Sequence, residues 1–548
     1  MKSINSILFL IVCLTIATQL YSQENKPNIV VIMADDIGLG DINYYTKIRT
    51  GKDGVVPTPN LDKIARESMR FTDAHSPAPL CAPTRAMVLS GNDNHIAGMG
   101  KQSSQNNGFG YEGKLTNRIA TIPQILRKSG YHTYMTGKWH LGRDSLSIPF
   151  SKGFERSFVN ILGAGNHYDD QGLFKEDPIT PYFEDGKPAN WNNGNYSTDF
   201  YTDKLIEYID LNIEDKKPFF GFAAYTSPHW PLQVDEKYWK KYEGQYDDGY
   251  EKLKERRLES LKNAGMIPID AVLPPNHEKV IPWDSLSLDE KKKESRKMEL
   301  YAGMVDNLDY NIGRIIQHLK DIGQFENTLI VFMSDNGAAA EDFYYHPNYG
   351  PFIRENFNDD YETMGQPNSF ISYGPGWAEA GSSPFRHYKG STTEGGINAP
   401  MIISGPNIEM NNEINNEFVT LMDIAPTFYE VAQTTYPEKF EGNDIYPLKG
   451  NSLMPFVSGK SDQIHSSEYV FGLEHSSLAM IRPGDWKITN ITRPFLEENF
   501  KLYNISQDLA EINDLKVSEP EKYKEMLEEW RKFTNEVKVQ IPPPSSKE

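Results

Sequence analysis

The chain is short of cysteine, with 2 in 548 residues. That excludes a disulfide framework, and no spacing of cysteines fits a zinc site. It is short of positive charge, with 56 Lys and Arg against 76 Asp and Glu and a net charge of −20. Such a surface repels a phosphate backbone and excludes a general nucleic-acid binder. It does not exclude an anionic substrate, because a local cationic pocket is felt over about 8 Å at physiological salt while the global field is screened. Internal repeats and heptad runs are missing. The apolar stretch at the N-terminus, Ile7 to Ala17, is too short for a membrane span. Apolar residues at 38%, with 27 Phe, 30 Tyr and 8 Trp, supply ample core and exclude global disorder. The length accommodates two to four domains, or one large core with an appendage.

Residues 1–22 carry an export pattern: Lys2 before the apolar core, then Leu20-Tyr21-Ser22 as a cleavage site ahead of Gln23. Val12 before Cys13 argues against lipidation there. The expectation is a cleaved signal peptide, a periplasmic or secreted protein, and no stable membrane insertion afterwards. Cleavage leaves Cys81 as the sole cysteine. A lone thiol in an oxidising compartment must be buried or chemically employed.

Four apolar runs predict buried parallel strands: Ile29–Met33, Tyr131–Thr136, Phe219–Tyr225 and Leu329–Met333. Each ends in polar residues, namely Asp35-Asp36, Lys138-Trp139-His140, Ser227-Pro228-His229 and Asp335-Asn336-Gly337. Helical faces lie between them, at Leu61, Ile64, Ala65 and Met69, over Ile119–Leu126, and along the stripe from Tyr301 to Leu319. Alternation of strand and helix implies an α/β fold with a mostly parallel sheet covered by helices on both faces. Ligands of such sheets sit beyond the carboxyl ends of the strands, so the four clusters are expected to converge. Asp235–Lys297 reads as a charged surface excursion. Residues 23–467 form the expected main domain and 468–548 a smaller subdomain of short antiparallel strands, at Tyr469–Leu473, Trp486–Ile491 and Phe500–Ile505, with a helix over Glu519–Val537. The Pro542-Pro543-Pro544 tail is expected to fray.

Cys81 lies in Cys81-Ala82-Pro83-Thr84-Arg85, followed by a short apolar turn and Ser90-Gly91. This segment resembles the signature of type I sulfatases, in which the cysteine is oxidised to Cα-formylglycine (3-oxoalanine) by a formylglycine-generating maturase. Lys138 and His140 in Gly137-Lys138-Trp139-His140, His229 in Ser227-Pro228-His229, and Lys389 in Tyr388-Lys389-Gly390-Ser391 extend the match. So does Leu502-Tyr503-Asn504-Ile505, which resembles the closing strand and turn of the sulfatase C-terminal subdomain, while Asn94-His95-Ile96-Ala97-Gly98-Met99-Gly100 is similar to the bacterial arylsulfatase branch.

The resemblance implies an alkaline-phosphatase-like fold and hydrolysis of sulfate esters through a covalent sulfo-enzyme. In that chemistry one hydroxyl of the hydrated aldehyde attacks sulfur, and the other expels sulfate. It further implies that Asp35, Asp36, Asp335 and Asn336 hold one divalent cation, with calcium expected, and hard oxygen donors suit that ion. Arg85 and Lys138 would contact the modified residue and the sulfate. His140 would accept a proton, His229 and Lys389 would bind sulfate and serve the leaving alcohol, and Asp335 would act toward the attacking hydroxyl. Glu394-Gly395-Gly396-Ile397 reads as a structural turn.

Each feature has a plainer reading. An Asp-Asp pair at a strand end commonly caps a turn, and most of the 12 histidines must be structural or solvated. The combination of motifs favours the hydrolase. A phosphonate monoesterase or phosphodiesterase of the same fold is the alternative, and a silent sulfoglycan-binding protein a more distant one. The expected substrate is a sulfated small molecule or glycan, sulfated algal polysaccharides and oligosaccharides included. His95, Trp230, Tyr344, Tyr345, His346 and Phe385 are candidates for an aromatic rim.

Overall fold

The computed structural model describes residues 26–42, 56–102, 108–191, 194–409 and 413–541. The export segment, Lys2 and Cys13 with it, and the Pro542–Pro544 tail lie outside the described residues.

The central strand β1 spans Asn28–Ala34. It is followed by α1 (Pro59–Ala65), β2 (Met69–Phe71), α2 (Cys81–Ser90), α3 (Ile122–Lys128), β3 (His132–Lys138), β4 (Arg156–Asn160), β5 (Tyr182–Glu184) and β6 (Lys187–Ala189). Then come α4 (Ser197–Leu211), β7 (Phe219–Ala224), α5 (Tyr250–Asn263), α6 (Leu288–Asp321), β8 (Thr328–Ser334), α7 (Gly374–Ser382), β9 (Met401–Ser404), β10 (Glu413–Asn415) and α8 (Ile424–Val431). The ten strands form one sheet in the order β10-β2-β9-β8-β1-β7-β3-β4-β5-β6. Its middle, from β8 to β4, is parallel. Antiparallel pairs border that middle on both sides. This is the large, mostly parallel mixed sheet expected of the fold.

Alternate residues of β1 feed two cores. Val30 and Ile32 pack with Leu205 of α4 and Met304, Leu308 and Ile312 of α6. Ile29, Val31 and Met33 pack with Ala82 and Ala86 of α2, Leu126 of α3 and Phe428 of α8. Burial on both faces explains why β1 has no polar alternation. Register brings the strand ends level: Ala34 pairs with Ser334, Met33 with Ala224, and Ala224 with Gly137. The residues that follow therefore emerge side by side.

The C-terminal part adds a four-stranded antiparallel sheet, β11 (Val470–His475), β12 (Leu478–Pro483), β13 (Trp486–Asn490) and β14 (Lys501–Asn504), covered by α9 (Pro520–Val537). Met526 and Trp530 of α9 lie on Ala479, Ile481 and Ile488.

Two expectations need correction. Met69 belongs to β2, not to the face of α1, which ends at Ala65. The Asp235–Lys297 segment is more than a surface excursion, because part of it packs into the core. Leu253 and Leu261 of α5 are buried, Arg257 pairs with Asp41 at 2.9 Å, and Lys254 pairs with Glu379 of α7 at 2.8 Å. Lys254 and Arg257 bond inward while most other charges of the segment face solvent, a division that a hydropathy pattern alone does not show.

Candidate active site

The site is assembled where β1, β3, β7 and β8 end. Asp35 and Asp36 follow β1 directly, and Asp36 adopts a left-handed φ of 72°, so its side chain turns back across the strand ends. The Asp35 amide donates to Ser227 O at 3.2 Å, tying β1 to the loop after β7. The Asp36 amide donates to Asp335 Oδ1 at 3.3 Å, tying it to the end of β8. Asn336 donates Nδ2 to Asp36 Oδ1 at 2.6 Å. Gly337 must lack a side chain, because a Cβ there would fall on the carbonyl of Gly395.

Cys81 is the first residue of α2, a helix buried along its whole length. Its Sγ lies 3.5 Å from Asp35 Oδ1. Burial pushes the thiol well above its ordinary range, since the nearby lysines compensate only in part. One turn on, Arg85 donates Nε to Asp335 Oδ2 at 3.0 Å and Nη1 to the Lys138 carbonyl at 3.1 Å. Lys138, the last residue of β3, donates Nζ to Asp35 Oδ2 at 2.6 Å. Lys389, in the loop after α7, reaches Asp36 at 2.7 Å. Burial opposes the charge on both lysines, but Asp35 and Asp36 outweigh it and hold both above the usual range.

The two histidines differ from the lysines. His229 Nδ1 bonds the Trp230 carbonyl at 2.7 Å, which leaves Nε2 facing Asp36 at 3.5 Å. His140 has a left-handed φ of 60° and a buried Nδ1 without a partner among the described residues. Burial first, then the cations Lys138 and Lys389, keeps both imidazoles well below their ordinary pKa. The His140 ring occupies space that exists because residue 163 is glycine; a Cβ there would fall on the ring.

All ten residues singled out in the sequence thus lie in one cluster. Asp35, Asp36, Asp335, Asn336, Arg85 and Lys138 are at most 1% exposed. Cys81, His140, His229 and Lys389 line the floor of a cleft of about 580 Å³. The aromatic rim is mostly different from the expected one. Of the six candidates only Trp230 lines the cleft, joined by Phe174, Phe343 and Tyr349. His95 is fully buried between Asp93 and Glu474, and Phe385 belongs to the core. Nearness in the chain is a poor guide to a wall built from several loops.

The acidic floor fits a cation. Asp35, Asp36 and Cys81 Sγ, with His229, offer atoms within 4.8 Å of one another. Burial, reinforced by the neighbouring carboxylates, raises the pKa of both Asp36 and Asp335. Asn336 Oδ1 is buried with no hydrogen-bond partner among the described residues. Clustered carboxylates and an orphaned amide oxygen form a hard-donor set of the kind that suits Ca²⁺ or Mg²⁺.

A mostly parallel α/β sheet that gathers carboxylates, lysines and histidines at its strand ends, on the floor of a cleft, has the make-up of a hydrolase site for charged esters. The comparisons specify which. The sulfatase family model matches residues 27–434, and that for the C-terminal part of N-sulphoglucosamine sulphohydrolase matches 387–540. An uncharacterized sulfatase of Schizosaccharomyces pombe is 38% identical over 95% of this chain and 96% of its own. The arylsulfatase of Klebsiella aerogenes is 35% identical over 80% of this chain and 94% of its own. Among solved structures, Ps i-CgsB in complex with k-i-k-neocarrahexaose superposes with a TM-score of 0.65 at 24% identity, covering 93% of each chain. The chain belongs to the sulfatase family and is a sulfuric ester hydrolase with arylsulfatase relatives.

Proposed function

We propose that the protein is exported, to the periplasm or beyond the cell, and cleaves sulfate monoesters to an alcohol and inorganic sulfate. Cys81 is converted to formylglycine by a maturase, and one calcium ion is held by Asp35, Asp36, Asp335 and Asn336. The observation that carries this reading is the place of Cys81. It is the sole cysteine left after the export segment, it stands at the floor of the cleft, and its thiol is held protonated by burial. As a thiol it is a poor nucleophile. As a hydrated aldehyde it supplies two hydroxyls, one to attack sulfur and one through which sulfate leaves. The cation would contribute positive charge toward the gathering negative charge on the ester.

The chain's own residues divide the remaining work. Lys138 and Lys389, held charged, bind sulfate oxygens, and Arg85 fixes Asp335 through its Nε and Nη2. Asp335, made more basic by burial, takes the proton of the attacking hydroxyl. His140, whose charged form is disfavoured by burial and the nearby cations and whose Nδ1 has no partner among the described residues, is the group proposed to accept a proton when sulfate departs. The leaving alkoxide takes its proton from the Lys389 ammonium, and His229, whose Nδ1 N–H donates to Trp230 O, turns its Nε2 toward the same cleft.

The substrate class is a sulfated aryl or sugar alcohol. The carbohydrate bound to Ps i-CgsB and the substrate of BT4656, D-glucosamine-2-N,6-O-disulfate, favour a glycan or oligosaccharide, algal polysaccharides included. The test is paired kinetics of 4-nitrophenyl sulfate against bis(4-nitrophenyl) phosphate and 4-nitrophenyl phenylphosphonate on the matured enzyme, before and after chelation. The sulfate ester is expected to be the better substrate by kcat/KM, with activity lost on chelation and restored by calcium. Preference for the phosphoryl ester would make the protein a phosphodiesterase or phosphonate monoesterase of the same fold.

A further inference from the structure

The cleft above Cys81 contains a charged group for which the ester chemistry has no use. Glu341 lies on its wall, five residues past Asn336. Its Oε2 is buried and has no hydrogen-bond partner among the described residues. Its charge is felt at both Asp36 and Lys389. A carboxylate can accept several hydrogen bonds, and a carboxylate oxygen shut off from solvent without a partner is unfavourable. A protein that keeps such a group facing its substrate cleft pairs it with whatever enters.

The surroundings narrow what that is. Trp230 and Phe343 stand on the same cleft with ring centroids 4.5 Å apart, an apolar face of the kind that packs on a ring. Toward the mouth, the cations are already engaged. Lys114 is held by Asp144 at 2.6 Å, and Arg143 is held through both Nη atoms by Asp177 at 3.0 Å. Glu176 adds a further carboxylate to the lining. Among the described lining residues above the sulfate-binding floor, the four carboxylates Asp144, Glu176, Asp177 and Glu341 outnumber Lys114 and Arg143, and both of these cations already face a carboxylate.

We infer that the leaving group is a neutral polyhydroxylated alcohol bearing a single sulfate, a sugar monosulfate, with one of its hydroxyls donating to Glu341 Oε2. The inference rests on the sulfate-ester reading of the site. A phenol offers no such donor and leaves Glu341 unpaired. A second sulfate on a neighbouring position meets the acidic mouth. Glu341 is thus a specificity residue that touches substrate away from the reacting atoms, and sites built to bond a substrate hydroxyl discriminate strongly against analogues without it.

The test compares the matured wild type with Glu341→Ala and Glu341→Gln on sugar monosulfates, the corresponding disulfates and 4-nitrophenyl sulfate. The wild type is expected to favour a sugar monosulfate over its disulfate by about tenfold or more in kcat/KM. Glu341→Ala should lower the ratio of kcat/KM for that sugar over the aryl ester by about tenfold or more, mostly through KM. Glu341→Gln, which keeps an acceptor oxygen and removes the charge, should keep part of that ratio and narrow the discrimination against the disulfate. A fall by the same factor on sugar and aryl esters would show a merely structural role and overturn the inference. So would a wild type that prefers the disulfate or hydrolyses only the aryl ester. A matured wild type that releases sulfate from no ester at all overturns the underlying reading as well.

Discussion

At the floor of the cleft, single atoms decide what chemistry is possible. Gly163 sits in a partly exposed loop, yet its missing Cβ is the space filled by the His140 ring. Gly163→Ala should therefore displace His140 without unfolding the protein. Displacements of this size cost about 100-fold in rate, and we expect such a loss in kcat/KM on 4-nitrophenyl sulfate, with a thermal melt close to that of the wild type. A melt lowered as sharply as the activity would mean that Gly163 serves the fold instead. The residues that carry charge or nucleophilicity were legible in the sequence because their motifs are local: Cys81 and Arg85 lie within one turn, and Lys138 and His140 are two apart. Gly163 and Glu341 were not, because their roles depend on what the fold places opposite them.

Among the elements, the loop that carries Lys389 depends on the small C-terminal sheet. Glu394, five residues past Lys389, accepts from Lys487 of β13 at 2.7 Å, and Lys487 also pairs with Glu511 at 3.0 Å, all three fully buried. Burial would raise the Glu394 carboxyl, but Lys487 and His75 reverse that and hold it well below the usual range. Thr392 bonds Thr489 at 2.7 Å, and Arg386 bonds Tyr503 at 3.1 Å. Lys487→Met leaves two buried carboxylates without their shared cation. We expect a loss of about 3–5 kcal/mol in a denaturant titration, and a lower kcat in the fraction that stays folded, because the loop presenting Lys389 loses its anchor. Unchanged stability would show that the network adds nothing to the docking of the sheet. The sequence pattern revealed β11, β13 and β14 but not β12. In β12, Ala479 and Ile481 face α9 while Met480 faces the main domain, so the strand shows none of the alternation that marks a half-exposed one. Glu394-Gly395-Gly396-Ile397, read as a structural turn, is a short helix whose acid belongs to this clamp.

For the whole molecule, a net charge of −20 coexists with a site that receives an anion because the three cations Arg85, Lys138 and Lys389 are sunk at the cleft floor beside their carboxylates, screened from the charge of the outer surface. Among the described residues no helix is long and apolar enough to cross a membrane. The parallel sheet was legible because its strands are continuous apolar runs ending in polar clusters. The packing of α5 was not, since its inward-facing charges imitate a solvated surface. The whole construction has one purpose if Cys81 is modified and a different one if it is not. Peptide mass spectrometry of Cys81, on protein made with an active formylglycine-generating enzyme, is therefore decisive when paired with sulfate release and a Cys81→Ala control. The expected result is a residue lighter than cysteine by about 18 Da, or restored to its mass by hydration, with sulfate release that follows the modified fraction and vanishes in Cys81→Ala. An unmodified thiol in active protein, or sulfate release undiminished by Cys81→Ala, would contradict it.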